Sequence, residues 1–143
     1  MHGKHSLLFV ALFLSGLLAW ATPVLSEDVG QFSRVVNQVD QLKQGKEPAI
    51  KAKVPGGVEV QDMVRTQEQS MAVVQFVDDS TMTISPKSKV TIEDYMYDAQ
   101  NASNKGKIKI LEGVVETIIP TTDKLQQKDI QIITTTAIAG IRG

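Results

Sequence analysis

The clearest pattern in the chain runs from Ser70 to Glu93, SMAVVQFVDDSTMTISPKSKVTIE. Ala72, Val74 and Phe76 fall on one parity, and Met82, Ile84, Val90 and Ile92 continue it after an interruption. Thr81, Thr83, Ser85, Lys87, Lys89 and Thr91 hold the other parity. A period of two places successive side chains on opposite faces of a sheet, so this stretch predicts half-buried strands with a polar outer face. Asp78-Asp79-Ser80 breaks the run with short side chains that bond their own backbone, which predicts a hairpin turn.

The flanks are less uniform. Val29, Phe32, Val35/Val36, Val39 and Leu42 are spaced by threes and fours, the spacing of an amphipathic helix. Gly30, the valines and the lack of a cap before Gly45 oppose a helix, and Lys43-Gln44-Gly45-Lys46 equally suits a turn between two strands. Periodicity leaves both readings of residues 27–53 open. Val54-Pro55-Gly56-Gly57 is a turn by composition. Val58, Val60, Met63 and Val64 predict short strands on either side of a kink at Gln61-Asp62, and residues 65–69 a polar connection.

Further along, residues 98–107 (DAQNASNKGK) read as a polar loop. Ile108 to Ile119 reads as one or two β-branched strands, with Gly113 marking a bulge. Pro120 to Asp129 is another polar connection, and Ile130-Gln131-Ile132 alternates into TTTAIAGIRG. Turn signals every 8–15 residues or so, with short strands between, predict an all-β domain built as a sandwich, barrel or solenoid.

The N-terminus follows different rules. Lys4 precedes an apolar run, Leu7–Leu18, and Ala19-Trp20-Ala21 supplies small residues for cleavage. This is the pattern of a secretory signal peptide cut after Ala21. The rival is an uncleaved anchor, but spanning about 30 Å of hydrocarbon takes roughly 20 apolar residues, and Ser15 and Gly16 interrupt this run. The expected organisation is a leader at 1–21, a linker at 22–28 and one small β domain at 29–143. The expected location is periplasmic or secreted, with no membrane span once the leader is cut.

Composition then removes whole classes of chemistry. The chain has no cysteine, and His2, His5 and the single tryptophan, Trp20, all lie in the leader. The remaining 122 residues lack the side chains for thiolate or imidazole metal sites, Ser-His-Asp triads and Cys-His pairs. Loss of Lys4 takes the 15 Lys and Arg to 14 against 16 Asp and Glu, a net charge of −2. Without a basic surplus, nucleic-acid binding is not expected.

A set of residues in order carries a family likeness. Val64-Arg65-Thr66, the alternating run Ser70, Ala72, Val74, Phe76, Asp78-Asp79-Ser80, Met82, Ile84, Pro86, Ser88, Val90 and Ile92, then Tyr95-Met96-Tyr97-Asp98, Ile110-Leu111-Glu112-Gly113-Val114-Val115 and the closing TTTAIAGIRG resemble the FecR protein domain. The resemblance implies a mostly β, non-catalytic extracytoplasmic domain, solenoid-like or sandwich, with strands rather than a helix at 29–53. Asn37, Gln61 and Asp79 stand where the family tends to have glycine, and Thr135 where it has proline. The family continues past Gly143 with a further strand, so the expectation is either a truncated product or a missing last strand, the second leaving an open sheet edge that a second copy can pair with. The family's namesake relays iron-siderophore status to a cytoplasmic sigma factor. With so few residues ahead of the apolar run, the expectation here is the domain without that relay.

Candidate chemistry is sparse. Asp78-Asp79 and Glu93-Asp94 with Asp98 lack the spacing of a calcium loop and read as solvated turn carboxylates. Tyr95 and Tyr97, two apart, are candidates for a sugar-stacking platform, weighed against half-buried core tyrosines. Arg142 is a candidate fork for a carboxylate ligand, weighed against an internal pair. Asn101-Ala102-Ser103 matches a glycosylation acceptor by pattern. The expected function is an exported interaction or sensing module of the cell envelope, with no catalysis, cofactor or metal. Its expected partner is an envelope protein, with cell-wall glycan as the alternative.

Overall fold

The computed structural model describes residues 26–120, 127–135 and 138–142. The expected leader, residues 22–25 of the linker and Gly143 lie outside the described residues. Where helix and strand readings competed, the chain forms strands: β1 (Asp28–Val36) and β2 (Val39–Leu42). The helix-like spacing has a β cause. A register shift between Phe32 and Arg34 inserts one residue, so inward positions pass from Phe32 to Val35 at a spacing of three. Asn37, with φ 58°, then breaks the extended backbone before Val39.

A tight 3₁₀-type turn, Lys43–Gly45, with Gln44 (φ 54°) and Gly45 (φ 68°) in the left-handed region, leads from β2 toward β3 (Ile50–Lys51), which pairs antiparallel with β2. β4 (Gly57–Glu59) and β5 (Met63–Thr66) flank the kink at Gln61, φ 71°. β6 (Met71–Phe76) and β7 (Thr81–Ile84) form the hairpin expected at Asp78-Asp79-Ser80. In that turn the Asp79 N–H donates to the Phe76 carbonyl at 3.0 Å, and Asp79 takes the left-handed position with φ 65°. The remaining strands are β8 (Lys89–Asp98), β9 (Ser103–Glu112), β10 (Val115–Ile118), β11 (Gln127–Thr134) and β12 (Ile138–Arg142).

The strands make two sheets, ordered β10-β7-β6-β1-β4 and β12-β11-β9-β8-β5-β2-β3. The alternating run therefore does not stay in one sheet: it crosses between β7 and β8. Thr66 fastens the crossing, its Oγ1 donating to the Ser85 carbonyl at 2.6 Å and accepting from the Ser88 N–H at 2.9 Å. Gly113 marks a second crossing, between β9 and β10, rather than a bulge within one strand. Its φ is 87°, and a Cβ there would lie 2.1 Å from Ser88 Oγ, so only glycine fits.

Between the sheets lies one core. The first sheet supplies Phe32, Val58, Ala72, Val74, Phe76, Met82 and Ile84; the second supplies Val39, Val64, Val90, Ile92, Tyr95, Ile108 and Ile130. Each large apolar side chain fully buried this way contributes about 1.5–3 kcal/mol. The fold is thus all-β and of sandwich type.

The polar loop expected at 98–107 is corrected. Only residues 99–102 form the turn, and β8 and β9 pair antiparallel on either side of it. The strand was hidden because its inward positions are Asn104 and Gly106, neither of them hydrophobic. Asn104 hydrogen-bonds to Asp78, and Gly106 leaves room for the ring of Tyr95, whose Cδ2 would sit 3.1 Å from an added Cβ.

Candidate functional site

One end of the sandwich brings together the start of β1, the β6–β7 turn and the last residues of β8. The Val77 N–H donates to the Val29 carbonyl at 3.0 Å, which joins the turn to β1. β8 carries a register shift between Ile92 and Asp94, so its buried positions pass from Ile92 to Tyr95 instead of to Asp94. Tyr95 and Tyr97 then share a face, as a spacing of two requires. Their surroundings differ. Tyr95 is 6% exposed and its ring stacks on Phe76 of the opposite sheet, whereas Tyr97 is 39% exposed at the rim. They do not form one open platform.

Two depressions meet at this end. One, of about 370 Å³, is walled by Val29, Val60, Val77, Tyr95, Met96 and Tyr97, with Glu27 and Asp28 at its margin. The other, of about 350 Å³, is more polar and is formed by the backbone of Gly30, Gly56 and Gly57 with Gln31, Gln75 and Asp79. Asp28 and Val77 line both. Val77 is 49% and Met96 64% exposed, apolar surface left bare beside a concavity. Contiguous bare apolar surface of this kind marks interaction sites more often than chance exposure does.

Beneath the turn lies a buried polar cluster. Asp78 Oδ1 accepts from the Ser80 N–H at 3.1 Å and from its hydroxyl at 2.5 Å, while Oδ2 accepts from the Asn104 amide. The Tyr95 hydroxyl lies 3.4 Å from Ser80 Oγ. Burial, reinforced by the Asp78 carboxylate, pushes the Tyr95 phenol far above its ordinary value of 10. The cluster holds the floor of the site in place, and its tyrosine is kept neutral.

A second cluster has no chemical signature in the sequence. Asp62 is fully buried, and its carboxylate accepts from Gln41 Nε2 (2.8 Å), Lys43 Nζ (2.9 Å), the Glu59 N–H (3.0 Å) and the Gln44 N–H (3.0 Å). It ties β2, the 3₁₀ turn and the β4–β5 turn together. Burial acts to lower the Lys43 pKa, but hydrogen bonds to Glu59 and Asp62 outweigh it and leave it raised. The kink at Gln61-Asp62 was the only local signal.

The other candidates scatter. Glu93 pairs with Lys107 and Lys109, and Asp94 is exposed. Asp98 caps its own turn, accepting from Gln100 and Asn101, and Asn101 holds its carboxyl below the ordinary range. Among the described residues no three acidic, histidine or cysteine side chains gather where a metal could be held. Of Asn101-Ala102-Ser103, the first two lie in the β8–β9 turn with Asn101 exposed, and Ser103 begins β9. The backbone of Arg142 stands opposite Asp129 in β12, and its side chain lies outside the described residues.

A family model described as FecR protein matches residues 62–143, more than half of the chain. No curated protein and no solved structure matches it. The matched segment begins at Asp62, yet β1 lies between β6 and β4, and Phe32, Val39 and Val58 are core residues. The folded unit therefore begins well before the match.

Proposed function

This chain belongs to the FecR protein family, and from that we propose that it is a non-catalytic interaction or sensing module of the cell envelope. The observation that carries this reading is the bare apolar surface of Val77, Met96 and Tyr97 around a depression at one end of the sandwich. A double-sheet scaffold presents that surface. The leader-like first 21 residues support export. A pair of substitutions on exposed positions, Val77→Ser with Met96→Ser, tests the reading in capture from envelope extract. An envelope protein retained by the native chain and lost by the double variant supports it; equal retention by both counts against it.

The glycan alternative now rests on Tyr97, because Tyr95 is buried and its ring stacks on Phe76. Sedimentation with purified cell wall addresses it. A pellet that depends on Tyr97 and not on Met96 favours glycan; an unchanged pellet after Tyr97→Ala removes it.

A further inference from the structure

The two depressions are not alike, and the difference describes an occupant. The larger is walled by valines, Met96 and the two tyrosines. The smaller has polar walls and two exposed carboxylates, Asp28 and Asp79. Asp28 and Val77 form the ridge between them. Glu27 stands beside the larger one, and no Lys or Arg lines either.

Elsewhere several carboxylates meet cations, while Asp94, Asp98, Glu116 and Asp129, which face no such concavity, form no ion pair among the described residues. Glu59 and Asp62 share Lys43, Asp40 and Glu47 share Arg65, Glu68 holds Lys87, Glu112 holds Lys89, and Glu93 holds Lys107 and Lys109. Among the described residues Glu27, Asp28 and Asp79 form no ion pair. A concavity lined by one sign of charge between low-dielectric walls focuses the field and attracts the opposite sign. Two adjoining concavities, one walled mainly by apolar side chains with Glu27 and Asp28 at its edge and one polar with Asp28 and Asp79, match two neighbouring side chains of a single segment.

We infer that this end of the sandwich takes a short peptide segment of a partner protein, one large apolar side chain entering beside Met96 and Tyr97 and an adjacent Arg or Lys entering between Asp28 and Asp79. The inference rests on the interaction reading above and adds to it the chemistry of the partner. Tyr97 can add a cation–π contact if the basic side chain crosses the ridge. Apolar burial provides the affinity, and the carboxylates select sign and orientation.

The probe is a fluorescent eight-residue peptide of alternating Arg and Leu, with one twin carrying Glu for Arg and another carrying Ser for Leu. Anisotropy and amide chemical-shift mapping are read on the protein as isolated. The expected result is at least tenfold tighter binding of the Arg-Leu peptide than of either twin, with shifts confined to the neighbourhood of Asp28, Val77, Asp79, Met96 and Tyr97. Asp28→Asn with Asp79→Asn should weaken binding at least fivefold and flatten its salt dependence, while Glu112→Gln at a distant ion pair should change nothing. Met96→Ser, on an exposed position that the fold does not need, should weaken binding several-fold and serves if the first pair unfolds. Equal binding of the Arg and Glu peptides, shifts that map elsewhere, or displacement of the peptide by chitotetraose would overturn the inference. If the envelope protein is still captured by the Asp28→Asn, Asp79→Asn variant but not by Val77→Ser with Met96→Ser, the inference fails while the interaction reading stands.

Discussion

The rings of Phe76 and Tyr95 lie with centroids 4.6 Å apart and planes 11° from parallel, one from each sheet. This contact closes the sandwich at the end that carries the candidate surface. Gly106 leaves room for the ring, and Ser80 meets its hydroxyl. Removing the ring should therefore be far worse than removing the hydroxyl. Tyr95→Ala is expected to cost about 3–5 kcal/mol, as for a buried aromatic truncated to alanine. Tyr95→Phe should cost about 1 kcal/mol, the usual net worth of one hydrogen bond. Denaturant unfolding of the two variants checks the ordering.

The same tyrosine makes stability sensitive to alkali. A phenol whose folded pKa is raised stays protonated in the native state after the unfolded chain has released its proton. The unfolded state then binds fewer protons, so stability falls as pH rises above about 10. Lys43 acts in the same direction, since its raised pKa gives stability that is complete below its ordinary 10.5 and fades as pH climbs through the folded value. Thermal unfolding followed from pH 8 to pH 11.5 should show a falling midpoint beginning near pH 10. In Tyr97→Phe, where Tyr95 is the sole remaining tyrosine, tyrosinate absorbance should rise together with unfolding and not before it.

Asp62 and Lys43 are unequal partners. The carboxylate is fully buried, whereas the lysine side chain is 41% exposed. Asp62→Ala leaves Gln41 and two backbone N–H groups facing the gap, and should cost about 3–5 kcal/mol, the range for breaking a buried charged network. Lys43→Met loses one half-exposed cation and should cost no more than about 1 kcal/mol. Urea titration of the single variants separates them.

Backbone handedness predicts two opposite outcomes. Gly113→Ala must place a Cβ against Ser88 and the Lys87 carbonyl at a φ of 87°, and should destabilise by at least about 2 kcal/mol. Asp79→Gly removes a side chain from a left-handed turn position where that side chain makes no hydrogen bond among the described residues, and should stabilise by up to about 1 kcal/mol. Melting curves of the two variants should move in opposite directions.

How legible this fold was depended on what each inward position carries. The strand segments Ala72–Phe76, Met82–Ile84 and Val90–Ile92 could be read directly because every inward residue in them is apolar. Residues 103–107 could not, because Asn104 and Gly106 earn their burial through a hydrogen bond and a missing side chain. Between Val29 and Leu42 the strand signal was scrambled by a bulge and by Asn37. The family likeness located the left-handed positions well: Asn37, Gln61 and Asp79, standing where it tends to have glycine, all adopt positive φ. At the site, the spacing of Tyr95 and Tyr97 said that they share a face. It could not say that the opposite sheet covers only one of them, since that depends on Phe76, nineteen positions away. Val77 and Met96 carried no signal at all, because a lone apolar residue in a turn or on the outer face of a strand looks like any other.

The most direct test of the account is site-specific photo-cross-linking in the living envelope. A photoreactive residue at position 77 or 96 should capture a protein partner. The same residue at position 114, 66% exposed but beside Ser85 and Ser88 at the second crossing between sheets, should capture none. Equal capture from all three positions, or capture from position 114 alone, would contradict the claim that the bare end of the sandwich is the working surface.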